Sequence, residues 1–167
     1  MANVIHTHHT APTQFVEARG IRFAYRRFGK AGGVPLVFNM HFTGTMDHWD
    51  PAVTDGFAKD REVVLFDNAG ISSSSGEVPA SIEAFAKWAA PRENPYDYPK
   101  ALRQPTLVVN GSADVIIYTV NSFILQQNIP NAQLILYPDA NHGSQYQYPE
   151  LFVRHVSMFL EEQSRGA

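Results

Sequence analysis

Short apolar, β-branched runs recur along the chain, and each closes on or near Gly, Asn or Asp. Continuous apolar runs of this length are typical of strands that are covered on both faces, as in a parallel sheet. We therefore predict four such strands, at residues 35–40, 62–66, 105–109 and 132–137.

The pattern before and between these runs is different. Residues 14–18 and 21–26 flank Arg19-Gly20, which predicts a β-hairpin at the edge of the sheet. Helices are predicted at four places. One begins after Asp50, and a second has Ser81 as its N-cap. Apolar residues at helical spacing predict a third at residues 118–127 and a fourth that follows Pro149.

This order of elements predicts the α/β fold class: a mostly parallel central sheet with an antiparallel N-terminal hairpin edge and crossover helices. The proline-rich residues 91–99 are predicted as a surface loop. At 167 residues the chain suits one domain, which we place at residues 14–167 behind a flexible tail, residues 1–13. His6, His8 and His9 could ligate a metal, but in such a tail they are expected to be merely polar.

Composition narrows the function classes. A net charge of −3 without a basic stripe gives no reason to expect a nucleic-acid partner. The absence of cysteine excludes disulfides, thiolate nucleophiles and Cys-ligated zinc. No glycine-rich phosphate loop or metal-ligand constellation occurs, so no cofactor and no metal is expected. No secretory signal or membrane-spanning run is recognisable, and a cytoplasmic protein away from membranes is expected.

Polar residues follow each predicted strand, at the edge where open parallel sheets bind ligands. Asp114 comes after the third strand and His142 after the fourth, so the two side chains should converge. A histidine needs a carboxylate on one ring nitrogen to hold its tautomer and to stabilise the imidazolium. We therefore predict His142 as the catalytic base and acid, and Asp114 as its partner.

The loop after the first predicted strand offers further candidates. The backbone N–H of Phe42 lies where it could donate a hydrogen bond to an oxyanion. His41 and Thr43 flank Phe42 and are the candidate substrate-pocket residues. For His41, a plain hydrogen-bonded loop histidine is the alternative.

Four motifs follow one another along the chain: Phe42-Thr43-Gly44, Asp67 to Ser74, Gly111-Ser112-Ala113-Asp114 and Asn141-His142-Gly143. In this order they resemble motifs of the α/β-hydrolase fold family, including its serine-hydrolase and haloperoxidase-like branches. The resemblance covers the chain from about residue 15 onward. It implies that Asp114 and His142 are the acid and histidine of a catalytic triad, in a hydrolase of small esters or lactones.

The chain also departs from this family. No Gly-x-Ser-x-Gly nucleophile motif occurs in its 167 residues, and the usual cap segment is missing. We infer a truncated α/β-hydrolase fold with an internal deletion near residues 84–90. Ser72, which stands where the family's Asp-x-x-Gly-x-Gly turn has its second glycine, is the candidate substitute nucleophile. A serine-rich turn is more often only a turn, because its hydroxyls bond their own backbone.

Two functions remain open. The first is a cofactor-independent hydrolase whose activity is weak or lost, acting on a small-molecule substrate. The second is a non-catalytic family member, a possible pseudoenzyme that binds a small ligand or a protein. A strand edge left open by the deletion would favour self-association, so a homodimer is the expected assembly.

Overall fold

The computed structural model describes residues 6–41 and 43–165. They form two compact units, with the boundary between residues 90 and 91. The boundary directly follows residues 84–90, the predicted deletion junction. The single domain at residues 14–167 and the deletion itself stay predictions.

The first unit contains a mixed four-stranded sheet in the order β1-β2-β4-β3. The first two pairs are antiparallel, and only β3 and β4 run parallel. The strands are β1 (Gln14–Ala18), β2 (Ile21–Gly29), β3 (Leu36–Phe38) and β4 (Glu62–Phe66).

The predicted hairpin is confirmed. Arg19 and Gly20 join β1 to β2 with φ angles of 51° and 77°. Two left-handed residues in succession give a turn whose twist matches that of the flanking strands.

The described residues of the first unit also form a short 3-10 helix and two α-helices. The helix α1 (Pro51–Ala58) starts after Asp50 as predicted. The structure shows in addition that Asp50 caps it, because its Oδ1 accepts the Ala52 N–H at 2.8 Å. The helix α2 starts three residues before Ser81, so the prediction of Ser81 as N-cap was wrong. Pro79 explains the earlier start, since proline fits the first turn of a helix. The helices are the 3-10 turn Met46–His48, α1 (Pro51–Ala58) and α2 (Val78–Ala89).

The core of the first unit lies between the sheet and α1. Val63 and Leu65 of β4 are fully buried, as are Val53 and, nearly so, Phe57 of α1. The Phe57 ring packs on Phe38 of β3 with centroids 5.9 Å apart. The sequence β3-α1-β4 is thus a parallel crossover unit, as predicted.

In the second unit, residues 91–165 form two parallel strands and four helices. The pair β5-β6 with α4 between them is the second predicted crossover. Part of the expected loop at residues 91–99 is helical, since α3 starts at Asp97. The elements are α3 (Asp97–Ala101), β5 (Thr106–Gly111), α4 (Thr119–Asn128), β6 (Ala132–Tyr137), α5 (Ser144–Gln147) and α6 (Pro149–Arg165).

The described strands form two sheets, which corrects the prediction of one mostly parallel central sheet. The α/β class and the crossover helices are confirmed, but the larger sheet is mixed. The nine-residue strand β2 pairs antiparallel on both of its edges, whereas β3 contributes only three residues to a parallel pair. Apolar runs predict strands, but they do not specify which strands pair.

Residues 6–13, which were expected to belong to a flexible tail, are instead held by contacts with the first unit. His8 is 1% exposed, and its Nδ1 atom lies 2.9 Å from the Thr54 hydroxyl. Its backbone N–H donates to Asp55 at 2.7 Å. These contacts with α1 pack the segment onto the first unit. Residues 1–5 of the expected tail lie outside the described residues.

None of the helices in the described residues combines the length and hydropathy needed to cross a membrane.

Candidate active site

Asp114 lies in the loop directly after β5 and is buried, with 4% of its surface exposed. Its Oδ1 accepts the backbone N–H groups of Ile116 and Ile117 at 2.9 and 3.0 Å. An aspartate that bonds its own backbone two and three residues later closes a tight local turn. The second carboxylate oxygen is left for another partner.

That partner is His142, in the loop after β6. Its Nδ1 atom lies 3.1 Å from Asp114 Oδ2, and its side chain is 52% exposed. The register of the parallel strands pairs Gly111 with Tyr137, which brings the two following loops side by side. The structure therefore places together the two residues that the sequence predicts as a pair.

Hydrogen bonds between the two loops fix this geometry. The N–H groups of Ser112 and Ala113 donate to Tyr137 and Ala140, each at 2.9 Å. A Cβ atom on Gly111 would overlap the Ala140 carbonyl, so only glycine permits this close approach.

The electrostatics of Asp114 suit a permanent anion. Burial acts to raise the pKa of its carboxyl, but hydrogen bonds from His142, Ile116 and Ile117 outweigh burial and hold that pKa below its usual value. The carboxylate is therefore charged at neutral pH. It can accept the Nδ1–H of His142 and stabilise the imidazolium form.

Two of the other candidates, His41 and Thr43, are exposed in the loop after β3 in the first unit. The Thr43 hydroxyl lies 3.3 Å from His41 Nδ1. The His41 ring is stacked parallel to that of His48, with centroids 6.5 Å apart. Phe42, the predicted oxyanion donor, lies outside the described residues.

Two side chains after β4 hold this loop, and sequence reasoning missed them in this role. Asp67 is fully buried, and its Oδ1 accepts the Met46 N–H at 2.8 Å. Asn68 donates to the carbonyl oxygens of Met40 and His41, both at 3.2 Å. The available signal was an acid directly behind a buried strand, within the turn motif itself.

The serines of the turn after β4 have different environments. The hydroxyls of Ser74 and Ser75 accept backbone N–H groups of β2 at 2.9 and 2.8 Å, so both have structural roles. Ser72 is exposed and has a left-handed backbone, with φ of 50°. Serine rarely adopts this conformation, and glycine adopts it freely.

The predicted residues thus fall into two groups. Asp114 and His142 form a hydrogen-bonded pair in the second unit, whereas His41, Thr43 and Ser72 belong to the first. Within residues 6–41 and 43–165, no cluster of three or more His, Cys, Asp or Glu side chains could hold a metal ion.

The chain is similar in sequence to a known hydrolase. No protein-family model matches the chain. The chain is 36% identical over 116 residues to a 2-hydroxymuconate semialdehyde hydrolase from Pseudomonas putida. This match covers 65% of the chain and 41% of that protein, so the chain spans about two fifths of its curated relative.

Solved structures give a similar result over more of the chain. An alpha/beta hydrolase fold protein from Chitinophaga pinensis superposes with a TM-score of 0.76 at 26% identity, covering 93% of this chain and 99% of that one. A CIB-like hydrolase from Thermoplasma acidophilum gives 0.70 at 19% identity, covering 91% and 98%. The second likeness shows the fold alone.

Proposed function

Because the chain belongs to the α/β-hydrolase fold family, we propose that it hydrolyses small esters or lactones, with Asp114 and His142 as its acid–base pair. The hydrolysis is slow, because the sequence lacks the Gly-x-Ser-x-Gly motif that carries the family's nucleophile. The observation that carries this proposal is the 3.1 Å contact between His142 Nδ1 and the buried Asp114 carboxylate.

The chemistry follows from that contact. With the proton on Nδ1 directed at Asp114, the lone pair of the His142 ring is on Nε2. This nitrogen can take a proton from a nucleophile as the nucleophile adds to the ester carbonyl, and can return it to the leaving alkoxide. Asp114 stays ionised throughout and stabilises the imidazolium. The exposure of His142 gives water and substrate access to the ring.

The proposal includes two alternative nucleophiles. Water is the simpler one: His142 takes its proton as the water oxygen adds to the ester carbonyl. The tetrahedral intermediate then collapses to the carboxylic acid, and the C–O bond breaks as His142 returns the proton to the leaving alkoxide. Ser72 is the candidate for a covalent route, in which its hydroxyl forms an acyl-enzyme that water then hydrolyses. Its exposure and its strained backbone support Ser72 over its neighbours Ser74 and Ser75, whose hydroxyls are already bonded.

The proposed substrate class rests on the fold and on the curated relative. That relative is named for 2-hydroxymuconate semialdehyde, so this compound belongs beside short aryl esters in the first substrate panel.

The decisive experiment measures turnover of 4-nitrophenyl acetate by the wild-type chain and by His142→Ala. The proposal expects multiple turnovers by the wild type and only the background rate for His142→Ala. His9→Ala, which removes another exposed histidine, is the matched control and should keep the wild-type rate. Equal rates for the wild type and His142→Ala would refute the proposed role of the pair.

The nucleophile is identified separately. A fluorophosphonate probe followed by mass spectrometry should label Ser72 if the covalent route operates, and Ser72→Ala should abolish both labelling and turnover. Ser73→Ala, the neighbouring exposed serine, is the control. Turnover that survives Ser72→Ala without labelling assigns the reaction to water.

A second candidate function is non-catalytic binding of a small apolar ligand or a partner. The observation in its favour is the exposure of four consecutive apolar or aromatic side chains behind Asp114. Val115, Ile116, Ile117 and Tyr118 are 69%, 68%, 53% and 63% exposed. Saturable shifts of their NMR resonances with phenol, together with no ester turnover, would favour this function over hydrolysis.

A further inference from the structure

Residues 6–13, which we call the strap, are fastened to the rest of the first unit mainly at His8. Among the described residues, four hydrogen bonds join the strap to other segments, and three of them involve His8. The His8 N–H donates to Asp55 at 2.7 Å, and its Nδ1 atom lies 2.9 Å from the Thr54 hydroxyl. Its carbonyl oxygen accepts a hydrogen bond from Arg26 at 3.4 Å. The docking of the strap therefore depends on His8.

The remainder of the strap is bonded mostly to itself. The Thr7 N–H donates to the Thr10 hydroxyl at 2.8 Å, and the Ala11 N–H donates to the Thr7 carbonyl oxygen at 2.9 Å. Ala11 is buried as well, but a methyl side chain removes little apolar area from water. Because the bonds of this turn are local, the strap can leave the unit as one piece once the contacts of His8 break.

The surroundings of His8 suit a neutral imidazole and not a charged one. The residue is 1% exposed, and none of the described carboxylates forms an ion pair with its ring. The two nearest acids are engaged elsewhere, since Asp55 accepts the His8 N–H and Asp47 accepts a hydrogen bond from Arg26. A proton on the ring would create a buried charge without an anion of its own, which is costly.

The charged and titratable groups that face His8 come from four places. They are His9 on the strap, Arg26 on β2, Asp47 in the 3-10 helix and Asp55 on α1. Burial first, and then His9 and Arg26, lower the pKa of His8, and together they outweigh the two acids. The docked form therefore binds a proton more weakly than a form with His8 in water, where the pKa is about 6.5. Protonation below that pH favours the detached form.

Arg26 connects the strap to the segment that follows β3. Its Nη1 atom donates both to the His8 carbonyl oxygen and to the Asp47 carboxylate, and its Nε atom donates to the Thr13 hydroxyl at 3.4 Å. The Arg26 side chain is 16% exposed in this arrangement. Detachment of the strap would open the guanidinium to water, where ion pairs contribute little. Asp47 lies in the 3-10 helix Met46–His48, so the strap supports that helix.

We propose that the strap is docked while His8 is neutral and detaches when His8 takes up a proton, and that its detachment loosens the 3-10 helix through Arg26. Global unfolding in acid would also involve His8, but it would open the strap and the sheet together. The strap instead opens while β2 and β4 stay paired. This follows from the position of His8, because its contacts hold the strap, whereas the two strands are joined by their own backbone.

Amide hydrogen exchange, measured by NMR at pH 7.5 and pH 5.5, tests the opening of the strap. Each rate is divided by that of an unstructured amide at the same pH. Protection of the His8 N–H should fall several-fold, with a limit of about tenfold at one pH unit below the usual histidine pKa. The amides of β4 should keep their protection. If the His8 N–H and the amides of β4 lose protection in parallel, the chain unfolds globally and the proposal is overturned.

Two variants with a matched control separate the proton site from the transmission. All carry His48→Gln, which removes the imidazole of the 3-10 helix itself and suits a capping box with Thr45. His8→Gln should remove the fall in protection at residue 8 and lessen it at residue 48, whose N–H donates to Thr45. Asp47→Asn should lessen the fall at residue 48 alone. His142→Gln, which removes an exposed histidine of the second unit, should change neither.

Two outcomes contradict these roles. A fall at residue 8 that persists in His8→Gln would assign the proton to another group. A fall at residue 48 that is the same with and without His8 would show that the 3-10 helix does not depend on the strap. The measurement needs no catalysis, so its outcome is independent of the proposed hydrolysis.

Discussion

At the scale of single residues, Asp114 shows how one side chain serves two structural roles. One carboxylate oxygen closes a turn of its own backbone, and the other holds His142. Because both oxygens are used and the group is buried, a substitution there changes local structure and site chemistry together.

The lowered pKa of Asp114 makes a contribution to stability that depends on pH. Folding favours the ionised carboxylate, so this contribution is complete above the usual aspartate pKa of about 3.9 and is lost as pH falls through the lower pKa of the folded state. We expect the urea midpoint of the wild type to fall more between pH 6 and pH 3 than that of Asp114→Asn. Equal falls for both proteins would contradict this assignment.

Folding disfavours the charged form of His8, whereas it favours the charged form of Asp114, and both effects make stability depend on pH. Burial, followed by the neighbouring charges of His9 and Arg26, lowers its pKa, so the folded state resists protonation of this ring. The unfolded chain takes up a proton near pH 6.5, the usual histidine pKa, before the folded chain does. Stability due to His8 is therefore present above about pH 6.5 and declines as pH falls towards the lower folded pKa.

This decline is measurable. Thermal unfolding followed by circular dichroism between pH 7.5 and pH 5.5 should show a smaller loss of Tm for His8→Gln than for the wild type. His41→Gln, which removes an exposed histidine of the loop after β3, should keep the pH dependence nearly unchanged. If the Tm of His8→Gln falls with pH as steeply as that of the wild type, the pH dependence is due to another group.

At the scale of elements, the segment from Met40 to Met46 depends on the two residues that follow β4. Asp67 accepts a backbone N–H from inside the protein, whereas Asn68 donates to carbonyl oxygens nearer the surface. The buried acceptor is the more important of the two, because its removal leaves the Met46 N–H without a partner away from water.

We therefore expect Asp67→Ala to lower the free energy of unfolding by about 2–4 kcal/mol and Asn68→Ala by about 1 kcal/mol. Chemical denaturation of the two variants against the wild type measures both. The ranking is the test: a larger loss for Asn68→Ala would mean that the loop is held mainly by its carbonyl contacts.

Local signals predicted the elements well. The bounds of β1, β4 and β6 agree with the expected strands, and the Arg19-Gly20 turn and the start of a helix after Asp50 are confirmed. Each depends on residues within a few positions of one another. The pair Asp114–His142 was also predictable, because adjacent parallel strands place their following loops side by side.

What the sequence did not reveal depends on contacts between distant segments. The burial of His8 against α1 joins positions 46 residues apart, and no local pattern encodes that contact. The split into two sheets was missed for the same reason. An apolar run indicates that a segment forms a strand, but it does not indicate which other strand it pairs with. The loop-holding role of Asp67 likewise depends on the position of Met46.

At the scale of the whole molecule, apolar burial is uneven. Among the described residues, the fully or nearly fully buried apolar side chains lie mostly before residue 90. After it the buried set is Ile129, Tyr137 and Ala140. The exposed large apolar side chains, in contrast, are concentrated between Val115 and Leu125. Contiguous exposed apolar surface of this kind promotes association.

We accordingly expect self-association that grows with protein concentration, with a second copy covering this surface. Analytical ultracentrifugation should show a rising weight-average mass for the wild type and a lower one for Ile116→Ser/Ile117→Ser. The control Val34→Ser changes an exposed apolar residue of the first unit and should associate like the wild type. A monomer at all concentrations would contradict a homodimer.

The left-handed backbone of Ser72 has a consequence for how this position evolves. A non-glycine residue there costs roughly 1 kcal/mol, which glycine would recover. In a mutant library enriched only for folded protein, Ser72→Gly should therefore rise in frequency over successive rounds. If enrichment for ester turnover instead retains serine, selection for chemistry outweighs selection for stability at this codon.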